Sequence, residues 1–131
     1  YYQAVEDYIA NNKLSNSVFI YGVCTDVKNI LSQSTIGVLS SKSEGLPVSL
    51  LEFGLAKLPV VVTNVGNCSI LLEDKDVVVE PENSMEFSQA LLMLIKDQEK
   101  RDQIAQQLHN KVIEEYSIDS FVQKLLKIYS Y

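Results

Sequence analysis

The residues Ser43-Glu44-Gly45-Leu46-Pro47-Val48-Ser49-Leu50-Leu51-Glu52, and then Ala56-Lys57-Leu58-Pro59-Val60-Val61-Val62-Thr63-Asn64-Val65-Gly66, decide how this chain is read. A loop of small residues runs into an apolar stretch, and a run of β-branched residues follows. Pro47 to Ala56 predicts a helix, with Pro47 in the first turn, where its missing N–H costs no intrahelical bond. Val60 to Thr63, after Pro59, predicts a strand with no wet face. Gly45 lets the backbone turn tightly and approach a neighbour closely. The N–H groups of the helix's first turn have no intrahelical acceptor, and the helix dipole adds positive potential there. Together they make an anion site suited to a diphosphate. Glu52 lies about one and a half turns into the helix, within reach of a pair of vicinal hydroxyls. Glu44 sits in the loop and can face the same crevice. A glutamate near a helix start also has a purely structural explanation, its attraction to the dipole.

Outward from this stretch, short β-rich runs alternate with helical patterns. Tyr2 to Lys13 predicts a helix ending near Asn11–Asn12. Val18 to Tyr21, closed by Gly22, predicts a buried strand. Thr25 or Asp26 then caps a short helix through Leu31. Thr35 to Ser40 and Val77 to Val79 predict two further strands, and Ser69 to Leu72 a short helix. Beyond Pro81 only helices remain. Asn83 and Glu86 have capping-box spacing ahead of Phe87, Ala90, Leu91, Leu94 and Ile95. Ile104, Leu108 and Val112 form a second apolar face. Ser117 or Asp119 caps a third helix, which carries Phe121, Leu125 and Ile128. The expected fold is α/β: a Rossmann-like, three-layer domain with a parallel sheet of about four strands, helices on both faces and a helical C-terminal tail. Ligands of such sheets bind outside the carboxyl ends of the strands. That directs attention to Gly22–Asp26, Ser40–Pro47, Thr63–Ser69 and Glu80–Asn83.

Composition excludes several classes. The 131 residues suit one domain, and 47% apolar with 21% charged residues is globular rather than disordered. No apolar run is long enough to span a bilayer, and the polar, amphipathic start does not read as a signal peptide. The absence of an initiator Met suggests a piece of something longer. A net charge of −6, with six acids and one base between Glu73 and Glu86, disfavours nucleic acid as a partner. Cys24 and Cys68 form no CxxC and read as reduced cysteines of a cytoplasmic chain. His109 lies in a polar stretch and reads as a helix-face residue, and no His/Cys cluster suggests zinc. P-loop and GxGxxG signatures are absent, which sets aside a generic ATPase or dehydrogenase.

The two quoted segments resemble glycosyltransferase family 4, retaining enzymes of the GT-B type built from two Rossmann-like domains. The signature of that family is two glutamates separated by seven residues, the spacing of Glu44 and Glu52. Specificity comes from the small residues beside Glu44, the apolar helix between the glutamates and the Pro59-Val60-Val61 strand start. Val18–Asp26, Val77–Asn83 and the terminal helices through Tyr129 extend the likeness over most of the chain. The resemblance implies that Glu52 binds the ribose hydroxyls of a nucleotide and that Glu44 sits by the transferred sugar. Gly45, Leu46, Pro47 and Val48 would hold the diphosphate, chiefly through the amides near Leu46 and Val48. Gly22 would line the nucleobase side, and Gly66 would mark a loop near the donor.

The resemblance also implies an activity: transfer of a sugar from a nucleotide-diphosphate donor to an acceptor hydroxyl with retention, in polysaccharide or glycolipid synthesis. No cofactor or metal is expected, and no DxD pair is present. The alternative is a non-catalytic nucleotide-binding or interaction module of the same fold. Residues 1–131 would be one partial domain, the donor-binding half, cytoplasmic and at the inner face of the membrane through the parent protein. The acceptor domain and the first two strands of the donor domain would be missing, so the acceptor glycan or lipid-linked glycan binds elsewhere. A fragment so cut is expected to expose apolar edges and to self-associate. Two departures concern loop geometry: Lys57 stands where the family ends its motif helix with Gly, and Asn67 where a second Gly commonly follows Gly66.

Overall fold

A computed structural model describes residues 1–129. Its elements, in chain order, are α1 (Tyr2–Asn11), α2 (Val27–Ser32), β1 (Gly37–Leu39), α3 (Val48–Leu55), β2 (Val60–Thr63), β3 (Val78–Val79), α4 (Ser84–Lys96), α5 (Gln98–Tyr116) and α6 (Ile118–Tyr129). Single 3₁₀ turns at Cys68–Ile70 and Lys75–Val77 lie between β2 and β3. The sheet is parallel throughout, in the order β1-β2-β3.

The all-apolar run Val60-Val61-Val62 takes the central position and is fully buried, as a strand covered on both faces must be. Parallel partners share a face, so Gly37 and Val60 point one way and Val38 and Val61 the other. A Cβ on Gly37 would lie 2.9 Å from the Phe53 ring, which identifies the first face as the one α3 covers. Helix α4 packs on β2 and β3 and covers the second face. Helix α5 lies behind α3, its buried Ile104, Leu108 and Val112 joining one core with Leu50, Leu71, Val77, Val79 and Leu94. Each large aliphatic side chain in that core contributes about 1.5–3 kcal/mol through burial.

Local signals in the sequence appear as built. Asp26 Oδ1 accepts the Asn29 N–H at the start of α2. Asn83 Oδ1 accepts the Glu86 N–H at 3.1 Å, and its amide donates to the Glu86 carboxylate at 2.8 Å, a reciprocal cap on α4. Ser117 Oγ accepts the Ser120 N–H ahead of α6.

The strand count is corrected. Three strands form among the described residues rather than about four, because Val18–Tyr21 joins no ladder. The segment is apolar enough, but a strand needs a hydrogen-bonded neighbour, and none reaches it. Its side chains are exposed, Phe19 by 64% and Tyr21 by 77%. Two other apolar expectations also lack a partner. Ile95 at the end of α4 is exposed, and so are Phe121, Leu125 and Ile128 on α6. No helix among the described residues is long and apolar enough to cross a membrane.

Candidate donor site at the carboxyl edge of the sheet

Helix α3 opens at Pro47, whose ψ of 124° is extended and which offers no side-chain cap. The N–H groups of Val48 and Ser49 therefore start the helix without a capping oxygen. Val48 is exposed, while Pro47 and Leu50 are buried, and Leu50 joins the core that holds β2. A helix start in this state leaves main-chain N–H groups without intrahelical or side-chain acceptors at the carboxyl edge.

The loop ahead of α3 is tied down from beneath. Ser41 Oγ donates to Glu44 Oε1 at 2.7 Å, and the buried Thr63 Oγ1 donates to the Ser41 carbonyl at 2.6 Å. The next loop closes against it: Asn67 N donates to the Gly45 carbonyl at 2.8 Å. Gly66 has φ +53°, and a Cβ there would stand 2.0 Å from the Glu44 carbonyl oxygen. Only glycine fits, both for conformation and for space. Glu44, Gly45 and Gly66 are thus brought together. The Cys68 thiol is pushed up from its usual range by burial and then by the Glu44 carboxylate, so it is a packed, protonated side chain.

Glu52 faces elsewhere on α3. It is partly buried and lines a cavity of about 390 Å³ with Val27, Lys28, Leu31, Ser32 and Leu55. Its carboxylate accepts no hydrogen bond and joins no ion pair among the described residues. Glu44 does not line this cavity, so the two glutamates are not joined in one pocket. Gly22 has φ +66°, and nothing lies within 4 Å of where its Cβ would be. Leu46 packs against the core. Lys57 ends α3 at φ +54°, the left-handed cap position, while Asn67 keeps an ordinary φ of −94°. Both cysteines are free, and no group of three or more His, Cys, Asp or Glu among the described residues could hold a metal ion.

Several residues of the edge escaped the sequence reading. Lys42 is the one base in the four carboxyl-end loops, and its ammonium pairs with Glu82, forty residues away. That contact raises the Lys42 pKa and lowers that of Glu82, through the hydrogen bond first and the charge second. Glu82 has φ +63° in the turn after β3. Asn64 donates to Glu80 at 2.9 Å. A second cleft of about 320 Å³ lies on the α4 side of the edge, between Lys42, Thr63, Glu80 and Phe87. The Ser41-x-x-Glu44 spacing was the one available signal, since it repeats the capping-box pattern in a loop.

A parallel sheet with helices packed against it and an uncapped crossover helix at its carboxyl edge define a Rossmann-like α/β domain. The chain belongs to the family described as glycosyl transferases group 1, whose model matches residues 1–111. It is 27% identical over 125 residues to the UDP-Gal:alpha-D-GlcNAc-diphosphoundecaprenol alpha-1,3-galactosyltransferase of Escherichia coli, covering 94% of this chain and 32% of that enzyme. The chain therefore spans about a third of the length of that curated relative. A glycosyltransferase from Rickettsia africae superposes with a TM-score of 0.87 at 25% identity, over 97% of this chain and 35% of that one. Anabaena HepE, solved in complex with UDP, superposes with a TM-score of 0.92 at 20% identity, over 99% and 36% of the two chains, a likeness of fold.

Proposed function

We propose that the chain is the donor-binding part of a retaining glycosyltransferase of family 4, taking a nucleotide-diphosphate sugar and passing the sugar to an acceptor hydroxyl. The observation that carries this reading is the uncapped start of α3 followed, on the same helix, by a partly buried and unpartnered Glu52. A half-buried carboxylate without a partner carries a desolvation cost, which hydrogen bonds from ribose hydroxyls would offset. The main-chain amides near Leu46, Val48 and Ser49 donate to the diphosphate oxygens. Glu44, oriented by Ser41, lies beside the sugar, and the Gly66 loop closes that end. Gly22 and the residues after it line the nucleobase side.

In the reaction the bond from the anomeric carbon to the diphosphate oxygen breaks. The acceptor oxygen bonds the same face of the sugar, and its proton passes to the departing diphosphate oxygen. Positive charge develops on the sugar and negative charge on the leaving diphosphate. Amides fixed by the fold stabilise that negative charge without reorganising, and on this reading no metal is required. The galactosyltransferase relative acts, by its name, on a diphosphoundecaprenol-linked sugar. A lipid-linked or glycan acceptor at the inner face of the membrane suits this chain as well. The acceptor half and the first two strands of the donor half are then supplied by segments outside these 131 residues.

Replacing Glu52 with Ala is expected to weaken UDP binding about tenfold, the scale of losing charge-assisted hydrogen bonds. Calorimetry checks this, and an unchanged affinity removes Glu52 from the site. Glu44→Ala in the whole enzyme is expected to lower turnover while nucleotide affinity stays near normal. Near-normal turnover refutes the role given to Glu44.

A further inference from the structure

We infer that His109 is a positioning residue for the donor site, holding the end of α3 that carries Glu52; the inference rests on the donor-site reading above. His109 lies on α5 in the row behind α3. Its Nδ1 is 2.9 Å from the Gly54 carbonyl oxygen, two residues beyond Glu52. A carbonyl can only accept, so Nδ1 carries the proton and donates. Gly54 O also accepts the Lys57 N–H at 3.1 Å, the bond that closes the left-handed end of the helix. Both lone pairs of this carbonyl are therefore used, one by the helix's own cap and one by α5.

The contact is reinforced by packing. Gly54 is buried, and a Cβ there would stand 2.6 Å from Val112 Cγ2 and 3.2 Å from Leu108 Cγ. Leu108 and Val112 lie just before and one turn after His109 on α5, so the three residues grip one point of α3. Helix α3 has only eight residues. Its first turn is anchored in the core by Leu50, and its last turn is seated on α5 through this point. The rotation of that last turn sets the direction of the Glu52 carboxylate into its cavity. Small errors in such placement weaken a site out of proportion to their size. The imidazole thus acts on the ribose end of the donor, through Glu52, and leaves the diphosphate end to the first turn.

The experiment titrates the 131-residue chain with UDP, which engages both ends of α3, and with inorganic pyrophosphate, which engages only the first turn. His109→Ala is expected to weaken UDP about three- to tenfold and pyrophosphate less than about twofold. His109→Asn, whose amide nitrogen overlays Nδ1, is expected to restore UDP binding to within about twofold of the parent. Equal losses for both ligands, or an Ala variant that binds UDP normally, overturn the assignment. A failure of the Asn variant to recover, with its fold intact by circular dichroism, does so too. If the unsubstituted chain binds neither ligand, the donor-site reading falls and takes the role of His109 with it.

Discussion

Three side chains, those of Lys13, Lys57 and Glu82, stand in backbone conformations that disfavour them. Lys57 ends α3 at φ +54° and Glu82 turns the chain after β3 at φ +63°, both in the region that glycine enters without steric cost. Lys57→Gly is expected to stabilise the domain by about 0.5–1 kcal/mol, the relief of strain minus the entropy glycine adds to the unfolded chain. Urea unfolding measures it, and a loss of stability contradicts the strain argument. Glu82 is coupled to Lys42, so its pH behaviour can be assigned a sign. The Glu82 carboxyl is held below its usual range, so its contribution is present above the unfolded carboxyl value. It is lost as pH falls through the folded one. The contribution is small because the pair is exposed, and Glu82→Gln is expected to flatten the acid limb of stability slightly and leave neutral pH almost unchanged. A clear loss at neutral pH contradicts this. The left-handed cap at Lys57 was anticipated only through the resemblance, which puts Gly at that position. The Lys42–Glu82 contact was not legible in the sequence, because nothing in either segment announces a partner forty residues away.

Helix α3 is the element on which the site depends, and its two ends are set by different physics. Its start lies just after Pro47, which the sequence reading put in the first helical turn and which stands instead one residue ahead of the helix, extended at ψ 124°. Its end is fixed by contact with α5 at Gly54, a contact between segments 55 residues apart. Gly54→Ala is expected to cost about 1–3 kcal/mol, because the added methyl meets Val112 and the Leu108 carbonyl. Thermal unfolding tests this, and an unchanged midpoint contradicts the close packing. The same division explains what could be read beforehand. Helices α2 and α4 and strand β2 follow from caps and β-branched runs, which act over a few residues. Val18–Tyr21 has an equally clear strand pattern and makes no strand, because pairing depends on a neighbour that its own residues cannot supply. Helix α6 has a clear apolar face and leaves it exposed, for the same reason.

The whole molecule has one well-packed core and apolar segments that stay outside it. The core runs from α5 through α3 and the sheet to α4. Phe19 and Tyr21 in the unpaired segment, and the 50%-exposed Val38 of the edge strand β1, face solvent. An exposed apolar edge of this kind favours association. Sedimentation velocity is expected to show mass rising with concentration, and a Phe19→Ser, Val38→Thr variant is expected to reduce it. A monomer at every concentration contradicts that expectation. For function, two clefts compete, one between α2 and the second half of α3 beside Glu52, and one on the α4 side of the carboxyl edge near Phe87. The donor-site account chooses the α3 side. Titrating the ¹⁵N-labelled chain with UDP tests that choice most directly. The account expects the largest amide shifts at Leu46, Val48, Ser49 and Glu52. Shifts gathered instead at Ser84–Ser88, or none along α3, would contradict it.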